Sequence, residues 1–272
     1  MESPEHSDIG SAAAEESAPP GGMIPGAQGE SQEESRKSRP RSRPGALFDV
    51  LLCTDLLASL VILLVYVTCS AIGYPLPPLL NSARLLAGVQ MVGGAVVVAT
   101  VLVILRLRRE PWRTLIGRGF SPLREAAVGL ATVPVLFLAT GAVGYFFRTF
   151  FPSLVTSQNV LLGMIRTPLD LIWFLIMGIT VGGIKEEIQR AFALRWFEKH
   201  LGGIYYGLAV WTVYFGIGHF LQGFDNTVGA GVLGLLFGWT YIRRQNIVAP
   251  VVAHAAYDAI VVAYSFFALG SS

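Results

Sequence analysis

Residues 169–194, with the sequence LDLIWFLIMGITVGGIKEEIQRAFAL, decide the fold, because an apolar run of membrane character leads directly into charged residues. The first part of this stretch is almost wholly apolar, and Glu186, Glu187 and Arg190 follow it. A charge at the centre of a bilayer costs at least roughly 2.5–3.5 kcal/mol on insertion scales. These three residues must therefore be compensated by partners or used in chemistry.

The composition of the whole chain is that of a helical membrane protein. The 272 residues are 53% hydrophobic and 14% charged, with a mean hydropathy of +0.57, whereas soluble domains carry about 25% charged residues. Several apolar runs approach the roughly 20 residues that cross a bilayer as a helix. The net charge of only +2 indicates no nucleic-acid partner. We therefore predict an all-α, polytopic transmembrane helical bundle whose partner is the lipid bilayer.

A polar tail precedes the apolar spans. Residues 1–46 are rich in Ser, Pro, Gly and Glu and lack apolar periodicity, so we predict a disordered tail. We predict that residues 47–272 form the transmembrane bundle, with about seven or eight spans. The apolar spans visible in the sequence are 47–72, 83–105, 125–147, 169–194, 204–221, 227–242 and 247–269.

The connections between the predicted spans differ in charge. The connection 106–124 contains six Arg residues, whereas 73–82 and 222–226 contain no Lys or Arg. Basic residues concentrate in the cytoplasmic connections of membrane proteins, so we predict that 106–124 and the N-terminus are cytoplasmic. The protein would then be integral to a membrane, and we expect that membrane to be the plasma membrane.

The first polar motif lies within the predicted fourth span. Glu186 and Arg190 are four residues apart, so on a helix they share a face and can pair. Glu187 then points about 100° away. A buried ion pair that fixes neighbouring helices is the structural alternative to a catalytic carboxylate.

Two further polar pairs lie in later spans. The stretch YFGIGHF places Phe215 four residues before His219, and VAHAAYDAI places His254 four residues before Asp258. Each pair shares a helix face, and an imidazole and a carboxylate can orient each other or a third group. Hydrogen bonding between helices is the structural alternative for both pairs.

The predicted hairpin of spans four and five brings two of these residues to a similar depth. It turns near 201–203, and Glu186 lies about 16 residues before that turn, while His219 lies about 17 residues after it. A carboxylate and an imidazole that face each other across a hairpin can hold and deprotonate a water molecule. The sequence therefore points to hydrolytic chemistry at this depth.

The three motifs together resemble those of the CPBP family of intramembrane proteases (CAAX-protease and bacteriocin-processing, also called Abi). The family pattern is Glu-Glu…Arg, then Phe-x-x-x-His, then His-x-x-x-Asn/Asp, on successive membrane helices. Here the second and third motifs match in full. The first departs, because two residues separate Glu187 from Arg190 where the family usually has three. The resemblance covers about residues 125–269, which we take as the protease core.

The resemblance implies a role for each residue. Glu186 would be the general base that activates water, and His219, in the Phe215 motif, would assist it. Stabilisation of the oxyanion would fall to His254 and Asp258. The supporting residues Glu187 and Arg190 would hold the helix and tune Glu186.

The implied activity is an intramembrane endopeptidase that acts on a peptide or membrane-protein substrate without a cofactor. A zinc enzyme is the alternative mechanism, with Glu186, His219 and His254 as ligands. Two other classes remain open from the residues alone. One is a non-catalytic membrane scaffold that binds a partner, and the other is a proton-coupled transporter, since Glu and His chains also make proton relays.

Overall fold

The structure is a computed structural model that describes residues 42–117, 119–157 and 159–269. Within these residues every regular element is helical and no β-strand occurs, which confirms the predicted all-α fold. The helices in chain order are α1 Arg43–Leu52, α2 Asp55–Ala71, α3 Ala83–Leu107, α4 Arg113–Ile116, α5 Pro122–Phe150, α6 Pro168–Leu201, α7 Ile204–Gly218, α8 Phe224–Arg244 and α9 Val248–Leu269. Short 3₁₀ turns occur in the connections at Leu79–Asn81, Pro152–Leu154, Leu162–Met164 and Phe220–Gln222.

Several of these helices have the length and hydropathy of membrane spans. Within the described ranges, α3, α5, α6 and α9 qualify, and α1 with α2 make a fifth span if this bent pair is counted as one. Helix α7 is apolar but has only 15 residues. The seven predicted apolar segments are thus helical, which supports an integral membrane protein, but a count of seven or eight spans is not fully confirmed.

The polar tail ends earlier than we predicted. Helix α1 begins at Arg43, inside the segment 1–46, so the prediction of disorder is wrong for residues 43–46. Pro44 lies in the first turn of α1, where its missing N–H removes no helical hydrogen bond. Ala46 is fully buried in the main apolar core, and that burial holds the turn in place. Residues 1–41 lie outside the described part of the chain.

The predicted first span, 47–72, is two helices rather than one. Helices α1 and α2 meet at an angle of 50° around Cys53 and Thr54. The side chain of Thr54 accepts a hydrogen bond from the backbone N–H of Leu56, which caps the start of α2. Asp55 follows in the first turn of α2, where an acidic side chain is favoured by the helix dipole.

Helix α6 contains the stretch with which the sequence analysis began, and it is not a uniform α-helix. A capping box between Thr167 and Asp170 starts it. The segment Gly178–Glu186 is π-helical, Glu187–Trp196 is α-helical, and Phe197–Leu201 is π-helical again. Turns of π-helix are rare and are frequent at functional sites. The first of them ends at Glu186.

Two glycines allow α9 to lie directly against the π-helical segment. A Cβ atom at Gly182 would collide with the carboxylate of Asp258, and one at Gly183 would come within 2.8 Å of the Cβ of Ala255. Helices α5 and α8 pack against α9 in turn, and α7 packs against α8. The central part of α6 is therefore enclosed by other helices and does not face lipid on all sides.

Candidate active site

A cavity of about 290 Å³ lies between α6, α7, α8 and α9. Five of the seven residues singled out in the sequence line it, and they come from three helices and one helix end: Glu186, Phe215, His219, His254 and Asp258. The hairpin of α6 and α7 thus brings Glu186 and His219 to the wall of the same cavity. The two remaining residues, Glu187 and Arg190, lie behind this wall.

His254 is the centre of the polar cluster. Its Nδ1 lies 2.8 Å from Oε1 of Glu187, which is a hydrogen bond. Its Nε2 lies 3.8 Å from Oε2 of Glu186 and 3.7 Å from Oδ2 of Asp258, beyond the range of a direct hydrogen bond. The ring stacks on Phe237 at a centroid distance of 4.3 Å, which fixes its plane. One imidazole therefore connects a buried carboxylate to two carboxylates of the cavity wall.

The neighbouring glutamates face different surroundings. The side chain of Glu187 is 1% exposed and belongs to the protein interior, whereas that of Glu186 is 18% exposed and lines the cavity. Burial of an isolated carboxylate is costly, and the His254 and Arg190 contacts of Glu187 offset that cost. Glu186 has no equivalent partner among the described residues at hydrogen-bonding distance.

Arg190 pairs with Glu187 and not with Glu186, so the predicted i,i+4 pair is wrong. The reason is the helix type: Glu186 is the last residue of the π-helical segment, while Glu187 and Arg190 belong to the same α-helical segment at i,i+3. The guanidinium is completely buried and lies 4.6 Å from the ring centroid of Phe215. It is a second hydrogen-bonding neighbour of Glu187 beside His254.

The hydrogen bonding of His219 identifies the ring nitrogen that carries the proton. Its Nδ1 lies 2.8 Å from the carbonyl oxygen of Phe215, and because a carbonyl can only accept, Nδ1 carries the proton. In the neutral ring Nε2 is then an acceptor. The Phe215 and His219 rings lie 4.7 Å apart by centroid, so the four-residue spacing supplies both a ring contact and a backbone acceptor.

The residues that the sequence offered for zinc do not form a metal site in the described ranges. No group of three or more His, Cys, Asp or Glu side chains there is arranged to hold a metal ion. Glu186, His219 and His254 line the same cavity, but they do not meet that arrangement.

The sequence did not predict one part of the cavity wall. Asn159, Gln222 and Asn226 line it, and we call these three residues the polar mouth. The Nδ2 of Asn159 donates to Oε1 of Gln222 at 3.2 Å, and the Nδ2 of Asn226 donates to the backbone carbonyl of Gln222 at 2.8 Å. The sequence signal for two of them was the pair of amide side chains Gln222 and Asn226 just after the Phe215 motif, in the segment 222–226 that lacks Lys and Arg.

A second polar cluster, also missed, lies on another side of α6. The ammonium of Lys185 pairs with Asp55, whose other carboxylate oxygen accepts from Tyr214 at 3.1 Å and Gln189 at 3.3 Å. Gln189 also donates to the backbone carbonyl of Cys53 at 2.7 Å. We call Lys185, Asp55, Gln189 and Tyr214 the Lys185 cluster. The Lys185 cluster joins the bend between α1 and α2 to helices α6 and α7.

One family model matches part of the chain. Residues 167–260 match the model of a family described as Rce1-like, type II CAAX prenyl endopeptidase. The CPBP resemblance is thereby confirmed. The matched segment contains every residue singled out in the three motifs, and it supports a CAAX-type intramembrane peptidase. Neither the curated proteins nor the solved structures give a match.

Proposed function

We propose that the protein is an intramembrane endopeptidase in which Glu186 activates water for attack on a peptide bond. The observation that carries the proposal is the convergence of Glu186, His254 and Asp258, at 3.7–3.8 Å, in a cavity that His219 also lines. Three carboxylate and imidazole groups beside a cavity of about 290 Å³ provide the parts that general acid–base hydrolysis needs.

The first step is attack by water on the carbonyl carbon. Glu186 accepts a proton from the water as the new carbon–oxygen bond forms, and the carbonyl electrons move to its oxygen. His219 presents Nε2 as an acceptor, because Nδ1–H is held by the carbonyl of Phe215. This acceptor orients the water so that its lone pair points at the substrate carbon.

The second step is collapse of the tetrahedral intermediate. In its protonated form, His254 donates from Nε2 to the oxyanion, and the Glu187 carboxylate at Nδ1 stabilises the positive ring. The carbon–nitrogen bond then breaks, and Glu186 returns its proton to the leaving amine. Asp258 lies 3.7 Å from Nε2 of His254, where its carboxylate attracts the positive ring without a direct hydrogen bond to it. Glu187 and Arg190 act as supporting residues behind this ring.

The proposed protease core runs from about 125 to 269 within a bundle of residues 47–272. This core extends beyond residues 167–260, which match the family model, because α5 packs against α9 and contributes Thr140 to the cavity wall. The hydroxyl of Tyr257 donates to Thr140 at 3.2 Å, which joins α5 to the helix that carries His254 and Asp258. Helix α5 therefore supports the site even though the three motifs do not include it.

The test is a cleavage assay with the full chain purified in detergent. A mixture of peptides of defined sequence is incubated with it, and new amino termini are identified by mass spectrometry. We expect new termini with the wild type, their loss with Glu186→Gln, and wild-type cleavage with Glu198→Gln, which removes an exposed carboxylate from the same helix. Equal cleavage by Glu186→Gln and the wild type would overturn the assignment of the base.

The same assay tests the absence of a cofactor. We expect strong chelators to leave the rate unchanged and the purified protein to contain no stoichiometric zinc. One zinc per chain that is lost together with activity would replace the glutamate mechanism with the zinc alternative. Absence of cleavage from the wild type and from both variants would favour a scaffold or a transporter.

A further inference from the structure

A second cavity, of about 530 Å³, lies at the end of the bundle where α6 and α8 finish. Its described walls are formed by the end of α6, by the short helix α4 with the connection before it, and by the residue that follows α8. Among the described residues, those that line this cavity and those that line the candidate active site do not overlap. We call it the basic cavity, because Arg113, Arg195 and Lys199 line it.

Arg195 is held in one place by three partners. Its guanidinium donates to the hydroxyl of Tyr241 at 3.1 Å, to Oε1 of Gln245 at 2.7 Å and to Oε2 of Glu198 at 2.9 Å. These bonds join the end of α6 to the end of α8. One wall of the basic cavity is therefore already ordered, and a preformed wall lowers the entropic cost of binding a ligand.

Two other cations of the basic cavity are available to a ligand. The side chain of Arg113 is exposed and has no ion pair or hydrogen bond among the described residues. Lys199 pairs with Glu110, but these side chains are 54% and 24% exposed, and exposed ion pairs contribute little to stability. An anion with several oxygen acceptors can therefore compete with Glu110 for the ammonium of Lys199.

A buried N–H on the same wall lacks an acceptor. Trp196 lines the basic cavity and is only 3% exposed. Within the described part of the chain, its Nε1 has no hydrogen-bond partner. Nearly all buried polar atoms of folded proteins are hydrogen-bonded, so each exception calls for a physical reason. An oxygen atom of a ligand in the cavity would be the acceptor that this N–H lacks.

The charges of the basic cavity select an anion. Three cations and two carboxylates line it, which leaves an excess of positive charge. More exposed arginines belong to the same stretch of chain: Arg106, Arg109 and Arg124. Guanidinium and ammonium groups that converge from several elements bind phosphate oxygens well, because each charged donor makes a strong hydrogen bond.

The position of the basic cavity favours a membrane lipid as the source of the phosphate. The short helix α4 lies between α3 and α5, which both have the length and hydropathy of membrane spans, so it lies at the membrane surface. Trp112, directly before α4, is 54% exposed, and exposed Trp side chains are enriched at the depth of the lipid headgroups. Basic pockets between membrane helices bind the headgroups of anionic lipids.

We propose that the basic cavity binds the phosphate group of an anionic membrane lipid. Arg113 and Lys199 contact the phosphate, and Arg195 forms the fixed wall beside it. The bound lipid joins the connection 108–121 to α6 and α8, and it stabilises the folded protein because the unfolded chain has no such site. This inference does not depend on the proposed peptidase function, since no residue of the candidate active site takes part.

A melting-temperature titration of the full chain in a neutral detergent tests the proposal. Phosphatidylglycerol is the probe, phosphatidylcholine is the zwitterionic control, and inorganic phosphate and glycerol 3-phosphate are the soluble sources of the same group. We expect phosphatidylglycerol to raise the melting temperature until the site is saturated, and the other three compounds to leave it nearly unchanged. No rise with phosphatidylglycerol, or an equal rise with phosphatidylcholine or a soluble phosphate, overturns the proposal.

Three variants, each compared with its own lipid-free melting temperature, locate the binding. Arg113→Gln should raise the apparent dissociation constant of phosphatidylglycerol by at least about tenfold, because it removes a charged hydrogen bond. Arg106→Gln removes the same charge from the end of α3 but does not line the cavity, so we expect a change below about twofold. Glu110→Gln frees Lys199 and should tighten binding.

Each variant also has a result that contradicts the proposal. Equal weakening in Arg113→Gln and Arg106→Gln would mean that the arginines only attract anionic micelles diffusely. Weaker binding in Glu110→Gln would mean that Lys199 does not contact the phosphate. Either result overturns the site, and neither depends on whether the protein cleaves peptides.

Discussion

Two polar clusters flank the same turns of α6, and they differ in how completely their groups are paired. The Lys185 cluster contains one ammonium, one carboxylate, one amide and one phenol, and each has a partner at bonding distance. The cavity cluster brings Glu186 and Asp258 to one imidazole nitrogen without a direct hydrogen bond to it. Complete pairing favours a structural role, whereas unpaired groups beside a cavity are available to a substrate.

Two adjacent residues of α6 have different roles. Lys185 and Glu186 are neighbours in sequence, yet one closes a bend between helices and the other lines the cavity. Changes in the cavity cluster should therefore alter the cleavage rate with little effect on stability. Changes in the Lys185 cluster, or in the pair behind the cavity, should lower stability first.

Loss of His219 should produce a large effect on rate. His219→Ala removes the acceptor that orients water, and loss of such acid–base assistance typically costs about 10²–10⁴-fold. The side chain lies at the end of α7 and is partly exposed, so the melting temperature should stay near that of the wild type. The measurement is the cleavage rate beside a melting curve. A stable variant with the wild-type rate would remove His219 from the mechanism.

Loss of Arg190 should produce the largest effect on stability. Arg190→Ala leaves Glu187 buried with one cationic neighbour fewer, and breaking a buried ion pair costs roughly 3–5 kcal/mol. The free energy of unfolding, measured by denaturant titration in detergent, reports this loss. The double change Glu187→Gln with Arg190→Met should recover part of it, because no charge is then left alone. An unchanged free energy of unfolding in Arg190→Ala would show that the ion pair of Glu187 and Arg190 does not stabilise α6.

A smaller loss of stability should follow from a change in the Lys185 cluster. Asp55→Asn removes the partner of the buried Lys185 ammonium, but the Asp55 side chain is 47% exposed, so water reduces the cost. We expect a loss of about 1–3 kcal/mol in the free energy of unfolding and a rate per folded molecule close to wild type. A large loss of rate at unchanged stability would place this cluster in the chemistry and contradict the comparison.

The smallest effect should come from Asp258. The third family motif accepts either Asn or Asp, and Asn can both donate and accept a hydrogen bond. Asp258→Asn should therefore change the cleavage rate by less than about tenfold, which corresponds to about 1.4 kcal/mol. Asp258→Leu is the matched variant without hydrogen bonding and should lose more. Equal rates in the two variants would show that Asp258 only fills space.

The sequence predicted the helical class and five of the residues that line the cavity, because both depend on composition and spacing. Apolar runs of about 20 residues identify helices, and the motifs in α6, α7 and α9 each contribute a cavity residue. The partner of Arg190 could not be predicted, since an i,i+4 rule assumes an α-helix and α6 is π-helical from Gly178 to Glu186. The sequence did not predict the bend between α1 and α2 at Thr54, because the apolar run continues through it.

The Lys185 cluster shows why sequence spacing misses long-range partners. Asp55 and Lys185 are far apart in the chain and belong to segments that looked unrelated. Only the packing of α2 against the bundle brings them together. The polar mouth was missed for the same reason, because Asn159 and Gln222 come from two connections that have no shared motif.

The most direct test of the account compares Glu186→Gln with Lys185→Met, two adjacent substitutions that each remove one charge. Cleavage rate per folded molecule and melting temperature are measured for both variants and for the wild type. The account predicts a rate about 10²–10⁴-fold lower in Glu186→Gln at nearly unchanged melting temperature. In Lys185→Met it predicts a lower melting temperature at a nearly unchanged rate. A Glu186→Gln variant that melts early yet cleaves at the wild-type rate would contradict the central claim.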